Sequence, residues 1–452
     1  MRVFARSDAP ALGLLFLAAA ALLVLGPELQ MLVALGPVAF IVLAAIVRKY
    51  PNIFAGFLPF ISIMGDGLLF HIHKEPPIRL STIVLLILVS SVLTSKKIFH
   101  PQTSLIAGWM VILLAVNYFT IAIPTRKQTS LQLFAILIEG LVLCIVVSTI
   151  APKPRIVLWS LALSALGCSY FSFFPEYQAG GRPYALSLDP NFIGAIVAVG
   201  LVAVLTLTRI EKSRLPLLVA IPFLPALVQV QSRASAVAAA VGGLVVLASS
   251  RDRRTGITAL FAVAAFAVAF YMIDSSFGFG AFTDRRVDTK ESAQVREELN
   301  KLNYANLESE PLLGIGIGVS AESAKESGAF GQATVAHNEY LRFAAEAGLP
   351  AIMGLVMLFA GPAIFGTIKG IRQPQAADMA PTVAAVMIFL FFLNSLDSSP
   401  LATLAMTVAG ASWGWTYKQG GVPLVPSEIP VLPRRRLNVP LRRTTLRTRP
   451  NS

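Results

Sequence analysis

The sequence predicts an all-α fold, a polytopic bundle of about 12–14 transmembrane helices carrying one large extracytoplasmic loop with short helices of its own. Three observations predict it. Apolar runs long enough to cross a bilayer recur along the chain. Charged residues make up 13% of the 452 residues, about half the roughly 25% of a soluble domain, and mean hydropathy is +0.71. One long polar stretch, from Asp274 to Gly348, interrupts the apolar pattern late and only once.

The runs are taken in order. Arg2 and Arg6 precede the first, from Ala9 to Leu25. No small-x-small site with a polar follow-on closes it, so it reads as an uncleaved helix. Others cover approximately 31–47, 53–70, 80–94, 104–123, 131–150, 156–174, 191–208, 215–230, 234–249, 256–273, 349–368, 382–397 and 400–416. The run at 53–70 is the weakest, because Gly65, Asp66 and Gly67 break into it. The chain therefore divides into N-terminal helices (1–180), helices with outer-face arginine motifs (181–273), the large loop (274–348), C-terminal helices (349–417) and a basic tail (418–452) read as disordered.

Charge fixes the sides. With the N-terminus inside, alternate connections put Arg48 and Lys49, Lys96 and Lys97, Lys153 and Arg155, Arg209, Lys212 and Arg214, Arg251, Arg253 and Arg254, and Lys369 and Arg372 on one side with the basic tail. That excess marks the cytoplasmic face, and the loop then faces outward. The net charge of +13 is accounted for by these connections and by anchoring at anionic lipid, and nucleic acid is not an expected partner. Cys144 and Cys168 sit in separate apolar runs and give neither a disulfide framework nor metal spacing.

Inside the loop, Val295, Leu299 and Leu302 recur at helical spacing among polar residues. They predict an amphipathic helix from about Glu291 to Leu307, stopped by Pro311. Gly314, Gly316 and Gly318 follow. Without a strand–helix context they read as a flexible turn rather than a phosphate loop.

Three polar points face the outer compartment. The first is Arg182 with Asp189-Pro190-Asn191, where aspartate suits an N-cap and proline the first helical position. The second is Ser232-Arg233, the serine able to cap another helix. The third is Thr334 to Leu341, where Thr334 can cap a helix bearing His337. Helix N-termini and arginines together suit an anion, above all a phosphate. His337 suits a general base near neutral pH. The plainer readings stand beside these: a loop histidine is often only solvated, interfacial arginines snorkel to headgroups, and Asp189-Pro190-Asn191 is a helix start. Asp66, Glu139 and Asp397 lie in or near apolar runs, where carboxylates mark ion paths or sit at a membrane rim.

Taken together, Arg182 with Asp189-Pro190-Asn191, Ser232-Arg233, Pro311-Leu-Leu-Gly314-Ile-Gly316, and His337-Asn338-Glu339-Tyr340-Leu341 ahead of Glu346-Ala-Gly348 resemble the O-antigen ligase/polymerase superfamily over about residues 180–420. The resemblance implies a metal-independent, cofactor-free glycosyltransferase of the GT-C type in the bacterial inner membrane, with both termini cytoplasmic and the loop periplasmic. The implied donor is a glycan on undecaprenyl pyrophosphate, and the acceptor a glycan or lipid-linked sugar. By the same resemblance His337 deprotonates the acceptor, Arg182, Arg233 and Arg296 bind the pyrophosphate, and Asp189, Asn191, Asn338 and Tyr340 support them. Ligase and polymerase are not separable from the sequence. A secondary transporter, with Asp66 as its best clue, and a non-catalytic polysaccharide-assembly subunit are the competing classes.

Overall fold

The computed structural model describes residues 40–69, 79–95, 99–122, 128–175, 177–179, 182–186, 188–230, 232–249, 286–320, 323–324, 338–393 and 395–419. The apolar runs at 9–25 and 256–273 and the basic tail lie outside them. Among the described residues, seven helices are long and apolar enough to cross a membrane: Pro51–Leu69, Pro101–Ile121, Ser130–Ile150, Pro154–Phe173, Pro190–Glu211, Leu349–Gly370 and Gln375–Phe392. Four of them begin on proline, whose fixed φ suits a first helical turn and whose missing N–H leaves nothing unsatisfied there.

We number the main helices in chain order. They are α1 (Pro51–Phe60, running on as π-helix through Asp66), α2 (Leu80–Thr94), α3 (Pro101–Asn117), α4 (Gln128–Ile150) and α5 (Pro154–Phe173). A two-stranded antiparallel hairpin follows, β1 (Tyr177–Ala179) and β2 (Arg182–Tyr184). Then come α6 (Pro190–Glu211), α7 (Leu215–Val219), α8 (Phe223–Val230), α9 (Arg233–Ser249), α10 (Arg286–Ser309), α11 (Glu339–Ala347), α12 (Leu349–Arg372), α13 (Ala380–Phe392) and α14 (Ser399–Gln419).

Two expectations change here. Gly65-Asp66-Gly67 does not break its run, because α1 continues as a helix to Leu69. The buried Asp66 carboxylate instead accepts from the backbone N–H of Ser81 at 3.2 Å and from its hydroxyl at 2.5 Å, capping α2 from a neighbouring helix. Glu139 on α4 likewise accepts from the Thr82 hydroxyl at 2.7 Å. The run at 215–230 is two short helices, because Pro222 sits in the turn between α7 and α8 and cannot carry the helix on.

Lipid gives helices little hydrophobic reason to associate, so close contact of small residues does that work. α14, rich in Ala, Thr, Ser and Gly, packs along α4. A Cβ at Gly410 would come within 2.6 Å of the Cys144 carbonyl, and one at Gly414 within 2.3 Å of the Ser148 carbonyl. The four-residue spacing puts both glycines on one face of α14, and their bare surface lets the two backbones touch.

α6 is the most enclosed of the seven, packed by α5, α9 and α13. Its first turn and that of α9 lie at one end of the bundle. At the other end, Arg209 of α6 donates to Asp378 at 2.8 Å and to Ser249 of α9. Nearby bonds of the same kind join Arg155 to Glu211 (2.6 Å) and Lys369 to the Thr416 carbonyl (3.2 Å). Among the described residues, Arg155, Arg209 and Lys369, expected to share a face, are therefore tied into one end of the bundle.

Candidate functional site

The site end is organised by two helix starts that point the same way. Asp189 caps α6, its Oδ1 accepting from the Asn191 N–H at 2.7 Å, with Pro190 at the first position as expected. The Tyr184 hydroxyl donates to the other Asp189 oxygen at 3.3 Å, tying the hairpin to this helix start. Arg182 lies on β2 opposite Ala179, and β2 packs on α5, α6 and α8. Ser232 precedes α9, and its Oγ accepts from the Ser235 N–H at 3.4 Å and from the Ser235 hydroxyl at 2.8 Å. Gly194 lets the two starts meet: a Cβ there would sit 2.6 Å from Ser235 Oγ. Two N-termini thus bring their partial positive charge side by side.

Arg233 opens α9 and is exposed. Arg296, on the exposed face of α10, stands within reach of its charge. Burial and the Arg233 guanidinium together hold Arg296 below the usual arginine range. Two of the three expected anion-binding arginines therefore lie within electrostatic reach of one another. The structure brings the backbone of Arg182 to the same end.

α11 carries a second, different arginine. Asn338 caps this helix, its Oδ1 accepting from the Leu341 N–H at 3.1 Å. Glu339, Arg342 and Glu346 all point into the protein and are fully buried. Arg342 donates to Glu339 at 2.5 Å and to Asp397, in the α13–α14 turn, at 3.0 Å. Glu339 also accepts from the Leu396 N–H at 3.2 Å, and the Ser320 hydroxyl donates to Glu346. Burial pushes the Glu339 carboxyl up to about 7, with Arg342 opposing that rise and Asp397 adding to it. The same carboxylates keep the Arg342 guanidinium charged in spite of its burial. Tyr340 donates to the Met387 carbonyl at 3.3 Å and packs near Phe391, so it joins α11 to α13.

The C-terminal end of α11 is bound to the glycine loop. Ile315 and Gly316 donate to the carbonyls of Ala345 and Glu346 at 2.9 and 3.1 Å. Asn117, at the end of α3, donates to the carbonyls of Leu313 (2.5 Å) and Glu346 (2.9 Å) and accepts from the Ile317 N–H at 2.9 Å.

Residues 218–356 of this chain match the O-antigen ligase family. This match supports membership of the chain in the O-antigen ligase superfamily. No curated protein matches it. With the seven apolar helices, the match supports a multi-pass membrane protein of ligase- or polymerase-like glycan processing.

The O-antigen ligase match contains Arg233, Arg296, His337, Asn338 and Tyr340, while Arg182, Asp189 and Asn191 precede it. His337 lies outside the described residues, as does Thr334, expected as a cap. The cap of the helix is Asn338, so α11 begins after His337 rather than bearing it. The glycine loop is a fixed turn, not a flexible one. Gly314 has φ +71°, and a Cβ on it would lie 2.4 Å from the Glu346 backbone. Glu339, Arg342, Asp397 and Asn117 were not expected as site residues, and their signals were faint. Glu339 and Arg342 are spaced to pair on a helix, and Asn117 is an amide inside an apolar run.

Proposed function

We propose that this protein transfers or polymerises glycan carried on undecaprenyl pyrophosphate, at the periplasmic face of the bacterial inner membrane, without a metal ion. The observation that carries this reading is the pairing of the starts of α6 and α9 beside Arg233, with Arg296 within electrostatic reach. Paired arginines attract an anion, and the two helix N-termini add partial positive charge at the same place. A pyrophosphate has the charge and the oxygens for both, and Arg182 completes the set from the hairpin. In the reaction, His337 takes the proton from the acceptor hydroxyl. The freed oxygen bonds to the anomeric carbon of the donor sugar, and the bond from that carbon to the pyrophosphate oxygen breaks. The arginines hold the charge that accumulates on the leaving pyrophosphate, a task best done by preorganised cations. Asp189, Asn191, Asn338 and Tyr340 hold the helix starts around this exchange. The termini and the basic bundle end face the cytoplasm, following the excess of Lys and Arg there.

The test is a glycan profile of cells whose chromosomal copy carries His337→Ala, at wild-type protein level. Long surface polysaccharide is expected to disappear. A lipid-linked long polymer left behind identifies the ligation step, and a single lipid-linked repeat identifies polymerisation. An unchanged profile overturns the reading.

A further inference from the structure

The charge cluster on α11 lies apart from the proposed anion site, and nothing in the transfer chemistry uses it. Its position nevertheless bears on that site. α10 carries Arg296, and among the described helices it packs chiefly against α11. Leu299, Val295 and Leu302 of α10 also form a small apolar patch with Ala324, away from the main core. The C-terminal end of α10 leads into the glycine loop, which is bonded to the end of α11. So the placement of Arg296 depends on the placement of α11.

α11 is nine residues long, too short to hold its place by helix propensity. Beside the bonds that tie its C-terminal end to the glycine loop, Arg342 adds a directed hold. Its guanidinium spans Glu339 on α11 and Asp397 in the α13–α14 turn, and the Leu396 N–H bonds to Glu339 from the same turn. A planar fork with two anionic partners fixes direction as well as distance, which an apolar contact does not.

We propose that Arg342 is a positioning residue: by clamping α11 to the α13–α14 turn it holds α10, and with it Arg296, facing Arg233 at the start of α9. The inference rests on the reading of Arg233 and Arg296 as the anion-binding pair.

Arg233→Cys and Arg296→Cys are combined in the full-length protein in native membranes and treated with a short bismaleimide. Cys144 and Cys168 stay in place, since both are buried. Cross-linking is expected to be fast with Arg342 intact and slower by roughly tenfold with Asp397→Asn or Arg342→Lys, since each removes one arm of the fork. An unchanged rate overturns the proposal. Loss of the protein in both variants overturns it too, because Arg342 is then needed for folding and not for position. Transfer activity separates the two readings. Arg296→Gln is expected to raise the donor KM, and Asp397→Asn added to it is expected to change nothing more. Additive losses overturn the positioning role. Full activity of Arg296→Gln instead removes the anion-pair reading, and the cross-linking rate still decides whether Arg342 holds α10.

Discussion

Arg342 and Arg296 stand on adjoining helices and have opposite surroundings. Arg342 is 2% exposed and enclosed by Glu339, Asp397 and Glu346. Arg296 is exposed, and the charge felt from its neighbour is the like charge of Arg233. Arginine costs a folded protein least where carboxylates repay its desolvation, and Arg342 meets that condition. The charge acting on Arg296 from Arg233 is of its own sign, and in the proposed reading a bound anion offsets it. Arg342 is part of the architecture, and the other pair is the proposed anion site. Residue type alone does not separate the two, but the surrounding charges do.

The largest expected effect comes from breaking the compensated side. Arg342→Met leaves the buried Glu339 and Glu346 and the partly exposed Asp397 without their cation, and is expected to cost about 3–5 kcal/mol of stability, read as a lowered midpoint of thermal unfolding in detergent. Arg296→Met should leave that midpoint unchanged or slightly raised. Equal losses from both would erase the distinction drawn here.

A smaller effect comes from pH. Glu339 has its ordinary value of 4.5 raised to about 7 in the folded protein. The folded state therefore binds this proton more tightly than the unfolded state. The stability it contributes is complete below about pH 4.5 and is lost as pH rises through about 7, on the order of a few kcal/mol in all. Glu339→Gln keeps the shape and should flatten this part of the pH profile, as measured by the unfolding midpoint from pH 4.5 to 8. The same profile in the Arg296→Met protein should keep its slope.

The smallest effect sharpens the comparison at the helix ends. Asn338→Ala removes the cap of α11 and should cost about 1 kcal/mol. With the α11 clamp intact, the loss should appear as faster amide exchange in the first turn of α11 and leave exchange in α6 unaltered.

What the sequence revealed and what it concealed divide along the same line. The spans were legible because lipid demands length and apolar composition, locally. The caps at Asp189 and Ser232 were legible because capping acts within three residues. Arg342 was not, since a charged residue in a polar loop reads as solvated until Asp397, distant in sequence, is known to lie beside it. The glycine loop was misread for a related reason. Three glycines in five residues suggest freedom, and the bonds from Asn117 and the end of α11 that remove it come from far along the chain. Asp66 looked like an ion-path residue until Ser81 proved to be its partner.

The paired starts of α6 and α9 have a consequence for how the protein is made. Two successive long helices that point the same way need a return path between them, and α7 and α8 provide it in two pieces separated at Pro222. Neither piece is long enough to partition into a bilayer by itself. α6 is long enough to enter the bilayer by itself, whereas the broken return and the shorter α9 are expected to settle there only as they pack against it.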